Sequence, residues 1–75
     1  MAWEKTHPNG LVYKNKLEKN TFVFITQNSV HDWFVVLDRG LSTDSRIIAS
    51  NVRNKLLAKR FASRWMKNHP RGQAD

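Results

Sequence analysis

The sequence predicts a single α+β domain, a small antiparallel sheet of three or four strands packed by one C-terminal amphipathic helix. Three observations lead there. β-Branched and aromatic residues concentrate in two short runs, at 21–26 and 31–37, which is the composition of strands. Turn formers punctuate the first forty residues. From residue 52 to residue 68 the apolar side chains switch to a helical period. A chain of 75 residues has room for one modest core and no second domain. The division expected is an N-terminal segment at 1–10, a sheet at 11–50, a helix at 52–68 and a tail at 69–75.

In the N-terminal segment, Trp3 is followed by His7-Pro8-Asn9-Gly10. Pro fixes φ and Gly accepts a positive φ, so this reads as a turn. Leu11-Val12-Tyr13-Lys14 is a short strand candidate, and the polar run 15–20 is a hairpin connection. Thr21-Phe22-Val23-Phe24-Ile25-Thr26 carries the strongest strand signal. Gln27-Asn28-Ser29 turns into a second strong strand, His31-Asp32-Trp33-Phe34-Val35-Val36-Leu37, which ends at Asp38-Arg39-Gly40. Arg46-Ile47-Ile48-Ala49-Ser50 reads as a further strand, because Ile-Ile favours β structure. The alternative is a helix that begins near Thr43.

Ser50 or Asn51 then serves as N-cap for a helix starting at Val52. Leu57, Phe61 and Trp65 recur every fourth residue, with Ala58, Ala62 and Met66 beside them. At about 100° per residue these six share one continuous face. Pro70 and Gly72 stop the helix, and His69 is placed to cap its last carbonyls. The expected core contains Val23 or Phe24, Trp33, Val35, Ile47, Leu57, Phe61 and Trp65.

Charge is the main anomaly. Thirteen Lys and Arg face six Asp and Glu, a net charge of +7. Residues 1–50 carry six basic and five acidic side chains, whereas residues 51–74 carry seven basic and no acidic ones. The seven are Arg53, Lys55, Lys59, Arg60, Arg64, Lys67 and Arg71. On a helical wheel Arg53, Arg60, Arg64 and Lys67 fall within about 60° of one another. Arg60–Arg64 and Lys55–Lys59 are like-charge pairs at i,i+4, unfavourable by a few tenths of a kcal/mol each in an isolated helix. A face that served only solubility would alternate its signs. Two sources of counter-charge are open. Phosphates of a nucleic acid are one, with about four to six contacts and a log–log salt slope of about −4 to −5. The other is the chain's own Glu4, Glu18, Asp32, Asp38 or Asp44 folding against the helix.

The two central strands are apolar on both faces, and one helix covers only one of them. Phe22 and Phe24 point one way, Val23 and Ile25 the other. The second face is covered by the segment that holds Trp3, or forms a homodimer interface, or exposes aromatics that stack on bases.

Catalysis is not expected. His7, His31 and His69 stand apart without metal-ligand spacing, the carboxylates are scattered, and no phosphate-binding glycine loop occurs. No cofactor and no metal are expected. Zero cysteines exclude a disulfide framework and a zinc finger. The absence of cysteine fits a reducing cytoplasm, and the first residues lack the pattern of a secretory signal. The longest apolar run, 33–37, is too short to span a bilayer, which needs about 20 residues. No membrane partner is expected, since the helix's apolar stripe is needed by the core.

The central Asp32-Trp33-Phe34-Val35 and the closing Ala58-x₃-Ala62-x₂-Trp65-Met66-x₂-His69-Pro70-x-Gly72 form a familiar pattern. The chain resembles small uncharacterised archaeal proteins, of halophiles and their viruses, that end in a WM-x-x-(H/N)-P-x-G helix tail. The resemblance implies a sheet followed by a C-terminal helix, and it supplies no activity or binding residue. The function expected from the residues is non-enzymatic nucleic-acid binding through the basic helix, with DNA favoured over RNA. The alternative is a small protein-interaction module or homodimerising regulator that uses the apolar sheet face.

Overall fold

The computed structural model describes residues 2–40 and 45–72. Five strands form one antiparallel sheet in chain order: β1 (Trp3–Lys5), β2 (Val12–Asn15), β3 (Phe22–Ser29), β4 (Asp32–Asp38) and β5 (Ser45–Val52). The helix α1 (Lys55–Asn68) packs on β3, β4 and β5. The α+β architecture is the one the sequence predicts, with five strands where three or four were expected. The extra strand is β1, three residues inside the N-terminal segment. Trp3-Glu4-Lys5 is too short to show a strand period and is held by its partner, Trp3 opposite Asn15 and Lys5 opposite Tyr13.

The ambiguous stretch at 46–50 is strand. It extends to Val52, and the helix starts three residues later than expected. Asn54, not Ser50 or Asn51, is the N-cap: its side-chain oxygen accepts the Leu57 amide at 2.9 Å. Asn51 instead takes a left-handed φ of 55°, where β5 slips in register against β4 between the Trp33–Val52 and Val35–Ala49 pairs. A bulge of this kind breaks the row of free amides on an edge strand.

The face towards α1 holds the core: Trp3, Val23, Ile25, Val35 and Leu37 from the sheet, with Ala58, Ala62 and Met66 from the helix. The helix is therefore turned relative to the expected orientation. Leu57 and Phe61 lie on its flank, 42% and 39% exposed, and Trp65 is half-buried. Two alanines at the centre of the contact let the backbone of α1 approach the sheet, whereas Leu and Phe there would hold it off. Ile47 is 58% exposed, because its register partner Val36 belongs to the face away from the helix.

The segment after the helix is bound to the first two strands. The Trp3 indole Nε1 donates to the His69 carbonyl at 3.1 Å, and Asn15 Nδ2 donates to the Pro70 carbonyl at 2.8 Å. Asn15, only 2% exposed, also accepts the Leu17 and Glu18 amides on its Oδ1. The His69 ring stacks on Trp65 at 4.2 Å, and Trp3 meets Trp65 edge-on at 6.2 Å. His69 closes the helix as expected: its amide donates to the Met66 carbonyl, and its Nδ1 lies 2.7 Å from the Trp65 carbonyl. Gly72 has φ of 70°, and a Cβ there would come within 2.8 Å of Thr21 Cγ2. So Pro70 and Gly72 do more than end the helix.

Trp3 is thus committed to the helix side and does not cover the second face. That face carries the cross-strand row Val12, Phe24, Val36 and Ile47, with Phe22 and Phe34 on either side of it. All are half-buried or exposed.

Two stability outcomes follow, both measurable by urea unfolding. Asn15→Ala strands three backbone groups and is expected to lower stability by about 2–3 kcal/mol. Met66→Ala is expected to remove about 2–4 kcal/mol, and Phe61→Ala clearly less, because a half-exposed ring loses less burial.

Candidate nucleic-acid interface

Packing of Ala58, Ala62 and Met66 on the sheet decides which way the helical cations point. At about 100° per residue, Arg60, Arg64 and Lys67 lie about 140–160° around the axis from Ala62. All three are exposed. They form one outward arc, about 10 Å long from the rise of an α-helix. Arg53 is exposed in the link between β5 and α1, and Lys55 is exposed in the first helical turn.

The remaining two predicted site residues are used otherwise. Lys59 is half-buried on the side towards the β1–β2 turn. A Cβ on Gly10 would lie 3.1 Å from its Nζ and 3.6 Å from the Tyr13 hydroxyl. The end of its side chain therefore lies over that turn. Arg71 lies beyond the helix and makes an ion pair with Glu18 at 3.1 Å. The arc consequently consists of Arg60, Arg64 and Lys67; Arg53, expected on the same arc, stands before the helix, ahead of the extended N-cap Asn54.

Among the described residues, the carboxylates that were candidates to quench the helix make no ion pair with it. Glu18 takes Arg71. Asp38 accepts the Gly40 amide at 2.9 Å, and Asp32 accepts from Asn28 Nδ2 at 3.2 Å. Glu4 lies on β1 opposite Lys14. Asp44 falls outside the described residues. Among the described residues, no carboxylate pairs with Arg53, Lys55, Lys59, Arg60, Arg64 or Lys67. No signal in the sequence distinguished Arg71 from the other six, since Glu18 is distant in the chain and meets it only through the bonds of Asn15 and Trp3 to the tail.

Among the described residues no three His, Asp or Glu side chains gather as a metal site would need. His69 is stacked and hydrogen-bonded, while His7 and His31 are exposed in separate turns. A shallow depression beside β2, lined by Glu4, Lys14, Lys16, Glu18 and Lys19, mixes both signs. Among the described residues no helix is long and apolar enough to cross a membrane. Compared with models of protein families, with curated proteins and with solved structures, the chain matches none.

The unpaired arc has a consequence for stability as well as for binding. Arg60→Glu turns the Arg60–Arg64 repulsion into an attractive i,i+4 pair. It is expected to raise stability by about 0.3–0.5 kcal/mol at low ionic strength, measured by thermal unfolding. A loss of more than about 1 kcal/mol would mean that Arg60 has a structural partner in its own chain.

Proposed function

We propose that the protein binds nucleic acid through the outward arc of α1, without catalysis, by contacts to the phosphate backbone. The observation that carries this reading is the set of exposed cations at Arg53, Arg60, Arg64 and Lys67, none of them paired to a carboxylate among the described residues. Within the helix no acid stands among them. Like charges held together on a rigid helix gain most from a ligand that brings dense negative charge, and duplex DNA carries about one charge per 1.7 Å of axis.

DNA is the favoured form. A helix about 10 Å across fits the ~12 Å major groove of B-form DNA, whereas the A-form major groove is too deep and narrow for it. Phosphate contacts set position and carry no base information, so the affinity is largely indifferent to sequence. A cytoplasmic site of action is part of the same reading, on the absence of cysteine.

Fluorescence anisotropy with a short DNA duplex, a single strand and an RNA hairpin tests the proposal. Binding is expected at low salt, tightest to the duplex, with a log–log salt slope of about −3 to −4 for four phosphate contacts. The double variant R60E/R64E is expected to weaken binding to every duplex alike, by more than tenfold, while R71A changes it little. Absence of binding at low salt, or an R60E/R64E variant that binds as the parent does, would refute it.

A further inference from the structure

The sheet face turned away from α1 offers a second and independent surface. We propose that it is a homodimer interface, two copies packing face to face about a two-fold axis that runs along β3. This does not rest on the nucleic-acid reading, and its test uses no nucleic acid.

The first ground is the apolar row Val12, Phe24, Val36 and Ile47, directly opposed across four neighbouring strands. Trp3, which could have covered it, is on the other face. The second ground is charge. The strand residues on this face include four charged ones, Glu4, Lys14, Asp32 and Asp38. Three are acids, in a chain of net charge +7. The strands thus offer one cation on this face, Lys14, where a platform that stacks bases on Phe22 and Phe24 would line the backbone path with several. A second copy that docks here keeps its own cationic helix on the far side.

The third ground is register. Lys14, Phe22 and Asp38 lie in one line across β2, β3 and β4, and Val12, Phe24 and Val36 lie in the next. Neighbouring strands are about 4.8 Å apart, so β2 and β4 are equally distant from β3. A half-turn about β3 exchanges them. Lys14 of each copy then faces Asp38 of the other, Val12 faces Val36, and Phe22 and Phe24 meet their own counterparts. Glu4 comes over Ser45, its counterpart in the same line on β5. Asp32, at the start of β4, falls beyond Val12, where β2 has no strand residue to meet it. The face thus complements itself at Lys14 and Asp38 and along its apolar row, and sheets that pack face to face about 10 Å apart with nearly aligned strands are an ordinary arrangement.

Five strands at this spacing give roughly 400–500 Å² per copy, below the ~800 Å² of standard interfaces. The dimer is therefore expected at Kd of about 10–100 µM. Sedimentation equilibrium of the full chain from about 5 µM to about 1 mM brackets that range. The mass is expected to rise from 8.8 kDa towards twice that value. K14D and D38K are each expected to weaken association by more than tenfold, since each places like charges at both symmetry-related contacts. An equimolar mixture of the two is expected to restore it, because both contacts then join opposite charges. Asp38 also holds the Gly40 amide, so D38N, which keeps an oxygen for that bond, separates lost charge from a disturbed turn. Far-UV circular dichroism checks that each variant is folded. A parent chain that stays at 8.8 kDa throughout overturns the proposal. So does association that K14D and D38K leave unchanged, or a monomer whose Phe22 and Phe24 signals respond only to a single-stranded oligonucleotide.

Discussion

The structure depends on the attachment of the post-helix segment to the start of the chain. Helix α1 faces the sheet with two alanines and one methionine, which together bury little apolar area. A contact that thin does not by itself decide where a 14-residue helix lies across a five-stranded sheet. The indole of Trp3 supplies what is missing: a large apolar body beneath Trp65 and Gly72, and a donor for the His69 carbonyl. Asn15 adds a second anchor, one amide reaching Pro70 on one side and the turn at Leu17 and Glu18 on the other. Buried polar groups are worth most when their partners are present, and both ends of this amide are bonded. Both anchors lie on the N-terminal edge of the sheet, so the first and last elements hold one another in place.

The rotation of α1 about its own axis follows from that attachment, and the direction of its cations follows from the rotation. With Ala62 against the sheet, Arg60, Arg64 and Lys67 are all exposed on the outer side of the helix. Had Leu57 and Phe61 occupied the centre of the contact, the same arc would no longer have pointed straight away from the sheet. Lys59 shows the limit of that arc, since one step round the helix a cation already drapes over Gly10. The link from a tryptophan near the N-terminus to a basic surface near the C-terminus is mechanical: the indole fixes the helix end, and the helix end fixes the outward side.

Much of the architecture was legible because it rests on local chemistry. The turn at 7–10, the strands centred on Val23 and Val35 and the C-terminal helix each carry their own pattern, and the structure contains all of them. What escaped depends on contacts remote in sequence. β1 has too few residues for a period and exists through its pairing with β2. The helix start moved because β5 continues to Val52 through a bulge, which Asn51 permits by adopting a left-handed φ. The side of the helix that meets the sheet is not legible either, because six apolar residues spread over more than a third of the helical circumference and periodicity alone does not choose between their bulky half and their small half. Sheet proximity chose the alanines. Of the predicted cationic residues, those on the outward arc were readable from the wheel. Arg71 was not, since its partner Glu18 is 53 residues away.

Helix and sheet divide the molecule into two surfaces of different character, separated by the core. One is cationic, narrow and rigid; the other is apolar, broad and mildly acidic. Because they face opposite ways, a ligand on one leaves the other accessible. That geometry also constrains how the two proposals combine. In a face-to-face dimer the cationic helices point outward from opposite sides, and a single straight duplex touches only one of them. Dimerisation then adds no phosphate contacts to a given duplex and leaves the salt dependence of one helix unchanged. What it adds is a second duplex: the dimer joins two segments, with avidity only where both belong to one molecule able to bend round it.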